Sequence, residues 1–221
     1  MKYRLAIWDF DGTILDTRRP ITMSINRTLS ETGRAQRDVA EIQQLIGLPL
    51  PEVMRRAAKL PPDTDAASIE ELCDRYRTVF KEMAPENAPM FAGVREALAA
   101  LREAGVELAV ATSRSRQSLE MFFDQHDLRA DFRFWAGGQC VARGKPNPDM
   151  LHYVLDNCGR SAADAVMIGD TTHDMEMGHA AGVHTCAVTY GMHDVAQLEA
   201  VKPTYLVHGA HELPGVVLSL S

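Results

Sequence analysis

"LAIWDFDGTILDT", residues 5–17, begins as an apolar run and then places three acids, Asp9, Asp11 and Asp16, around a glycine turn. Four apolar residues followed by Gly-Thr punctuation read as a short buried strand that ends at Asp9. A carboxylate at the end of a buried strand is costly unless it is paired or neutralised. Alternate residues of an extended strand share a side, so Asp9 and Asp11 are expected together with Phe10 turned away. Gly12 would let backbone amides approach an anion closely.

Outward from this stretch, strand-like and helix-like runs alternate. "VELAVAT" (106–112), "AVMIG" (165–169) and "VHTCAV" (183–188) are further apolar strands, and "TYLV" (204–207) is a weaker one. Between them, Val94, Leu98 and Leu101 keep helical spacing, as do Leu119, Phe122, Phe123 and His126, and Met150, Leu151, Val154, Leu155 and Cys158. This alternation predicts an α/β fold, a parallel sheet with helices on both faces. Residues 17–84 break the pattern: three helical stripes, on Ile21–Leu29, Val53–Ala58 and Ile69–Met83, and no convincing strand. They read as an α-helical insert, with "APENAPMFAGV" (84–94) as the return linker. The expected division is therefore a core of residues 1–16 and 85–221 and a helical unit of 17–84.

The chain has 221 residues, 46% hydrophobic and 24% charged, and a net charge of −7. That charge argues against a broad nucleic-acid surface, which needs many phosphate-neutralising cations. No stretch approaches the roughly 18 apolar residues of a membrane span. The N-terminus meets acids too early for a signal peptide. The four cysteines, Cys73, Cys140, Cys158 and Cys186, form no CxxC pair, which suits a reduced, cytoplasmic setting.

Ligands of an open parallel sheet bind beyond the carboxyl ends of its strands. The residues there are Asp9–Thr13, Thr112-Ser113-Arg114 and Asp170–Asp174, with Lys145 in the intervening "GKPNPD". Clustered carboxylates repel unless a cation neutralises them. An all-oxygen donor set suits Mg²⁺, which binds through a few carboxylates and substrate phosphate. A lysine and a hydroxyl add donors for phosphate oxygens. An aspartate can also attack phosphorus and form an aspartyl-phosphate.

Together these stretches resemble the haloacid dehalogenase superfamily in its phosphatase branch. "DFDGTILDT", "LAVATS", "GKPNPD" and "IGDTTHDMEMGHAAG" are similar to its four motifs, in order. The helical insert is similar to a C1-type cap on a Rossmann-like core, and the whole pattern is closest to phosphoglycolate-phosphatase-like members. The resemblance implies that Asp9 is the nucleophile and a Mg²⁺ ligand. It implies that Asp11 is the general acid/base and lends a carbonyl to the metal, and that Asp170 and Asp174 complete or orient the metal shell. Thr112 and Lys145 would hold phosphoryl oxygens, with Ser113 competing for the Thr112 role and Gly12 contributing to the phosphate cradle. The implied activity is Mg²⁺-dependent hydrolysis of a small phosphomonoester, phosphoglycolate by analogy, by a monomer or homodimer without membrane or nucleic-acid partners. A phosphomutase of the beta-phosphoglucomutase type keeps the same core acids and is the alternative. A catalytically silent binding protein on this scaffold is disfavoured, because no expected catalytic position is lost. Asp16 is expected to cap a helix where the chain leaves the core. His173 is not needed by a hard-cation site. Of the insert's basic residues, Arg18, Arg19 and Arg27 lie near enough to the hinge to meet a second anion or to form a solvated face.

Overall fold

The computed structural model describes residues 2–83 and 88–219. The first four residues of the expected return linker, 84–87, and the last position of the expected insert lie outside them. Six strands form one parallel sheet: β1 (Leu5–Trp8), β2 (Glu107–Ala111), β3 (Phe134–Ala136), β4 (Ala165–Gly169), β5 (His184–Val188) and β6 (Tyr205–Val207). Their spatial order is β3-β2-β1-β4-β5-β6. The chain builds outward from β1 to β3, then returns to lay β4 on the other side of β1. The point where strand order reverses therefore lies between β1 and β4, where open α/β sheets place their ligands.

Register fixes what meets there. Trp8 pairs with Val110 on one side and with Ile168 on the other. The residues that follow, Asp9, Thr112 and Asp170, consequently emerge at one edge. Alternation along β1 sends Leu5 and Ile7 to one face and Ala6 and Trp8 to the other. The first face packs on α7 (Asp149–Cys158) through Met150, Leu151 and Val154, and on α8 (Thr172–Ala180) through Met177. The second packs on α5 (Val94–Glu103) and α6 (Arg116–Gln125) through Leu98, Leu101, Phe122 and Phe123. Phe10 continues the Trp8 side and meets Phe122 and Phe123, both with ring centroids at 5.9 Å.

Within 18–83 lie α1 (Arg18–Glu31), α2 (Val39–Gln43), α3 (Leu50–Ala57) and α4 (Ala66–Met83), and no strand. The expected stripes become their buried faces: Ile21, Ile25 and Leu29 on α1, Val53, Met54 and Ala57 on α3, Leu72, Cys73 and Phe80 on α4. These residues are continuous with the apolar layer over the sheet, through Phe80 edge-on to Phe122 at 6.2 Å. The short α2 and the three-residue β3 have no counterpart in the sequence reading. Two backbone hydrogen bonds tie the outgoing chain to the returning one, Asp16 N–H to Pro89 O at 2.8 Å and Phe91 N–H to Ile14 O at 3.1 Å. Asp16 also accepts the Arg18 amide at 3.3 Å and its guanidinium at 2.8 Å. It thus stands one residue before the helix's N-cap, Thr17, whose own side chain makes no capping bond.

Among the described residues no helix is long and apolar enough to cross a membrane. All four cysteines are free thiols.

Candidate active site

Lys145 is the organising cation. Its fully buried Nζ lies 2.7 Å from Asp9 Oδ1 and 2.6 Å from Asp174 Oδ1. Burial opposes its charge, but the attraction of Asp174 and Asp9 outweighs this and holds the ammonium protonated. Burial pushes the Asp9 carboxyl up to about 7 against the pull of Lys145, with Asp174 and Asp11 adding to the rise. Asp170 is raised well above the usual carboxylate range by burial and then by the charges of Asp9 and Asp174.

The site is short of positive charge. Four carboxylates, Asp9, Asp11, Asp170 and Asp174, face two cations, Lys145 and Arg114, so full ionisation would leave two negative charges unbalanced, in keeping with the raised Asp9 and Asp170. Oxygens of Asp9, Asp170 and Asp174 all lie within 4.8 Å of one another, and all three residues are buried. A hard divalent cation fits this donor set in charge and in ligand type.

Each acid is held by its own local structure. Asp174 is the third residue of α8 and forms a reciprocal capping box with Thr171: its Oδ2 accepts the Thr171 amide at 3.1 Å and hydroxyl at 2.7 Å. It is fully buried, where a first-turn acid is ordinarily exposed. Asp170 accepts Thr13 Oγ1 at 2.7 Å and the Met192 amide at 2.8 Å. Thr13 lies in the strand-end stretch Asp9–Thr13, where it was assigned no role, and Met192 lies outside every stretch that the sequence reading singled out. Thr13 sat within the first motif, whereas Met192 follows β5 and gave no signal.

Gly12 has a different job from the one expected of it. Its amide donates to Leu15 O at 2.9 Å and is thereby used inside the turn. Its φ is +85°, and a Cβ there would stand 2.1 Å from Asp170 Oδ2. The glycine is required for the close approach of the turn to Asp170. Gly12→Ala is expected to destabilise the fold by at least about 1 kcal/mol, from the positive φ alone. The added methyl should also displace Asp170 from the acid cluster; an unchanged melting curve would refute this.

Asp11 is gripped by Arg114, a residue not chosen from sequence although it directly follows Thr112-Ser113. The guanidinium Nε lies 2.9 Å from Asp11 Oδ2, and Nη2 pairs with Oδ1. Nη1 donates to Ser118 Oγ at 2.7 Å. The guanidinium packs against two rings, Phe80 of α4 at 4.7 Å and Phe122 of α6 at 4.8 Å. Thr112 is buried, and its Oγ1 accepts the Arg114 amide at 3.2 Å. Ser113 Oγ instead donates to Gly47 O at 2.7 Å, a bond from the β2 end to the helical insert. The same seam is close at Gly144, where a Cβ would come within 2.8 Å of Pro49.

A cavity of about 1030 Å³ lies between these groups and the insert, with Asp9, Asp11, Thr112, Ser113 and Arg114 in its wall. Arg18, Arg19 and Arg27 do not line it: Arg18 pairs with Asp16, Arg27 with Glu31 and Glu82, and Arg19 is exposed. The cations in the wall are Arg77, Lys81 and Arg114. His173 packs 5.6 Å from His193, and burial lowers its pKa to about 4, so the imidazole is neutral at pH 7.

Comparison with known proteins agrees with this geometry. A family model described as haloacid dehalogenase-like hydrolase matches residues 6–188. The chain is 34% identical over 218 residues to the "Probable phosphatase IndB" of Dickeya dadantii (strain 3937), covering 98% of this chain and 94% of that one. It is 28% identical to a phosphoglycolate phosphatase of Pseudomonas syringae pv. tomato, covering 96% and 79%. A haloacid dehalogenase-like family hydrolase from Streptococcus pneumoniae superposes with a TM-score of 0.84 at 22% identity, over 97% of this chain and 98% of that one. The strand-end acids, the sheet order and the span of the match lead to one conclusion: the chain is a phosphatase-type enzyme that belongs to the haloacid dehalogenase-like hydrolase family.

Proposed function

We propose that the protein is a Mg²⁺-dependent phosphomonoester hydrolase that works through an aspartyl-phosphate on Asp9. The supporting observation is the deficit of positive charge in the buried Asp9–Lys145–Asp174–Asp170 cluster, which a divalent cation would neutralise. Asp9 and Asp170, with the Asp11 carbonyl, would hold the ion. Asp174 already accepts three donors and is suited to orient Lys145 and the ion's surroundings. Bound there, Mg²⁺ would neutralise charge on the transferring phosphoryl oxygens.

The chain's own residues divide the remaining work. Lys145 engages Asp9 Oδ1, which leaves Oδ2 to attack phosphorus as the ester P–O bond breaks. Asp11 takes up a proton from solvent as it leaves Arg114 and gives that proton to the departing oxygen. It then takes a proton from the water that attacks the acyl-phosphate, releasing phosphate and restoring Asp9. Both Asp11 oxygens are occupied by Arg114, so Asp11 must give up one of these bonds to reach the ester oxygen. Thr112 faces the cavity beside Asp9 and donates to a phosphoryl oxygen, while Ser113 ties the insert to the core. Residues 17–84 then serve as a cap domain that excludes bulk water. A cytoplasmic setting suits the four free thiols.

The purified protein is expected to release phosphate from p-nitrophenyl phosphate with Mg²⁺ and to stop in EDTA. Mg²⁺ at a hundred times its Kd should add about 2.7 kcal/mol of stability, raising the melting temperature by roughly 5–11 °C. No metal-dependent turnover across a broad phosphoester panel would favour the silent-scaffold alternative.

A further inference from the structure

The cavity is mismatched to the substrate named for several relatives. Beyond its phosphoryl group, phosphoglycolate is one methylene and a carboxylate, on the order of two or three waters in volume, or roughly 60–90 Å³. The cavity of about 1030 Å³ lies at the top of the range that encloses ligands of drug size. The chemistry of its walls disagrees as well. Ile21 and Ile25 of α1, Leu48, Leu50 and Val53 around the start of α3, and Phe80 of α4 supply the roof. A two-carbon acid would face these side chains with nothing to bury against them.

A carboxylate would also need a cation, and two of the three in the wall are committed. Arg114 holds Asp11 and Ser118, and Arg77 pairs with Glu70 and Asp74. Lys81 stands exposed on α4. What the walls do offer is a stacked aromatic pair, Tyr76 and Phe80 with centroids at 5.6 Å and planes at 29°. Uncharged polar groups, Ser115, Gln117 and Gln139, line the cavity too. Such a site buries a flat, largely apolar body and hydrogen-bonds its edges.

We propose that this cavity selects a phosphomonoester whose body is uncharged, ring-bearing and at least about eight non-hydrogen atoms in size, and that phosphoglycolate is a poor substrate. This inference rests on the phosphatase reading above and names the substrate class of the same site. The test compares four primary phosphate esters in Mg²⁺: phosphoglycolate, ethyl phosphate, benzyl phosphate and uridine 5′-monophosphate. At least one ring-bearing ester should exceed both small esters in kcat/KM tenfold or more. Phosphoglycolate equal to or above both ring-bearing esters overturns the inference. Calorimetry on the Asp9→Asn protein with Mg²⁺ separates recognition from chemistry, because it ranks the esters by binding. There the better ring-bearing ester should bind at least tenfold tighter than phosphoglycolate, and the reverse ranking overturns the inference. Silence of the wild-type enzyme toward every ester would sink the phosphatase reading, while the calorimetric ranking still decides this one. Leu50→Asp places a charge in the roof at the first residue of α3, where an acid suits the helix. It should lower the ratio of ring-bearing to ethyl phosphate kcat/KM at least fivefold; an unchanged ratio counts against the proposed wall.

Discussion

Asp9→Asn is expected to remove turnover by at least about 10³-fold in kcat, the scale seen when a covalent nucleophile is lost. The amide is nearly isosteric, but its electron pair is a far weaker nucleophile. The change also deletes one negative charge from the cluster around Lys145, so the folded state should survive. Asp9 lies in a buried group that full ionisation would leave with two excess negative charges, and neutralising one relieves repulsion with Asp170 and Asp174. The expected pattern is a melting temperature equal to or above wild type in EDTA, together with near-complete loss of phosphate release. Near-normal activity would show that Asp9 is not the nucleophile. Asp11→Asn should be severely impaired as well, and a variant that turned over normally would move the acid/base role elsewhere.

Lys145→Met should have the largest effect on stability. The ammonium is wholly buried and bonds two acids at once, so its removal leaves Asp9, Asp170 and Asp174 as an uncompensated anionic cluster. Breaking a buried pair from one side costs about 3–5 kcal/mol. For a chain of this size that corresponds to a fall in melting temperature of roughly 6–20 °C. The variant should also lose activity, because Asp9 is no longer aligned and a donor to the phosphoryl group is gone. Adding Asp174→Asn should recover part of the stability and none of the activity, since it removes the surplus charge and restores no alignment. Additive losses in the double variant would show that the two residues are not coupled.

The sheet was readable where strands are long and wholly apolar. Leu5–Trp8, Glu107–Ala111 and Ala165–Gly169 are nearly continuous apolar runs because helices cover both faces. Phe134–Ala136 escaped, whereas the equally short edge strand Tyr205–Val207 stood out as a weaker apolar run. The acids stood out for the opposite reason, as charges at positions that burial ought to disfavour. Partners supplied from a distance were hidden. Met192 reaches Asp170 only after β5 has been laid beside β4, and nothing local to its sequence marks it. Arg114 was adjacent to the hydroxyls singled out, yet its pairing with Asp11 depends on β2 lying against β1. Sequence likewise placed Arg18 and Arg27 near the hinge, but each found an acid within its own neighbourhood.

The cross-tied segments at 14–16 and 89–91 make the helical segment separable in design. Its point of departure and its point of return sit side by side, at about the 4.7–4.9 Å spacing of neighbouring strands. A segment whose two ends nearly touch can be cut out and replaced by another folded piece with close termini, without pulling β1 away from β2 or β4. The catalytic charges stay with the sheet, and the roof is an exchangeable part. Grafting the equivalent segment of a relative onto this sheet should therefore transplant its substrate preference while the buried acid cluster, and with it the proposed Mg²⁺ dependence, stays with the host.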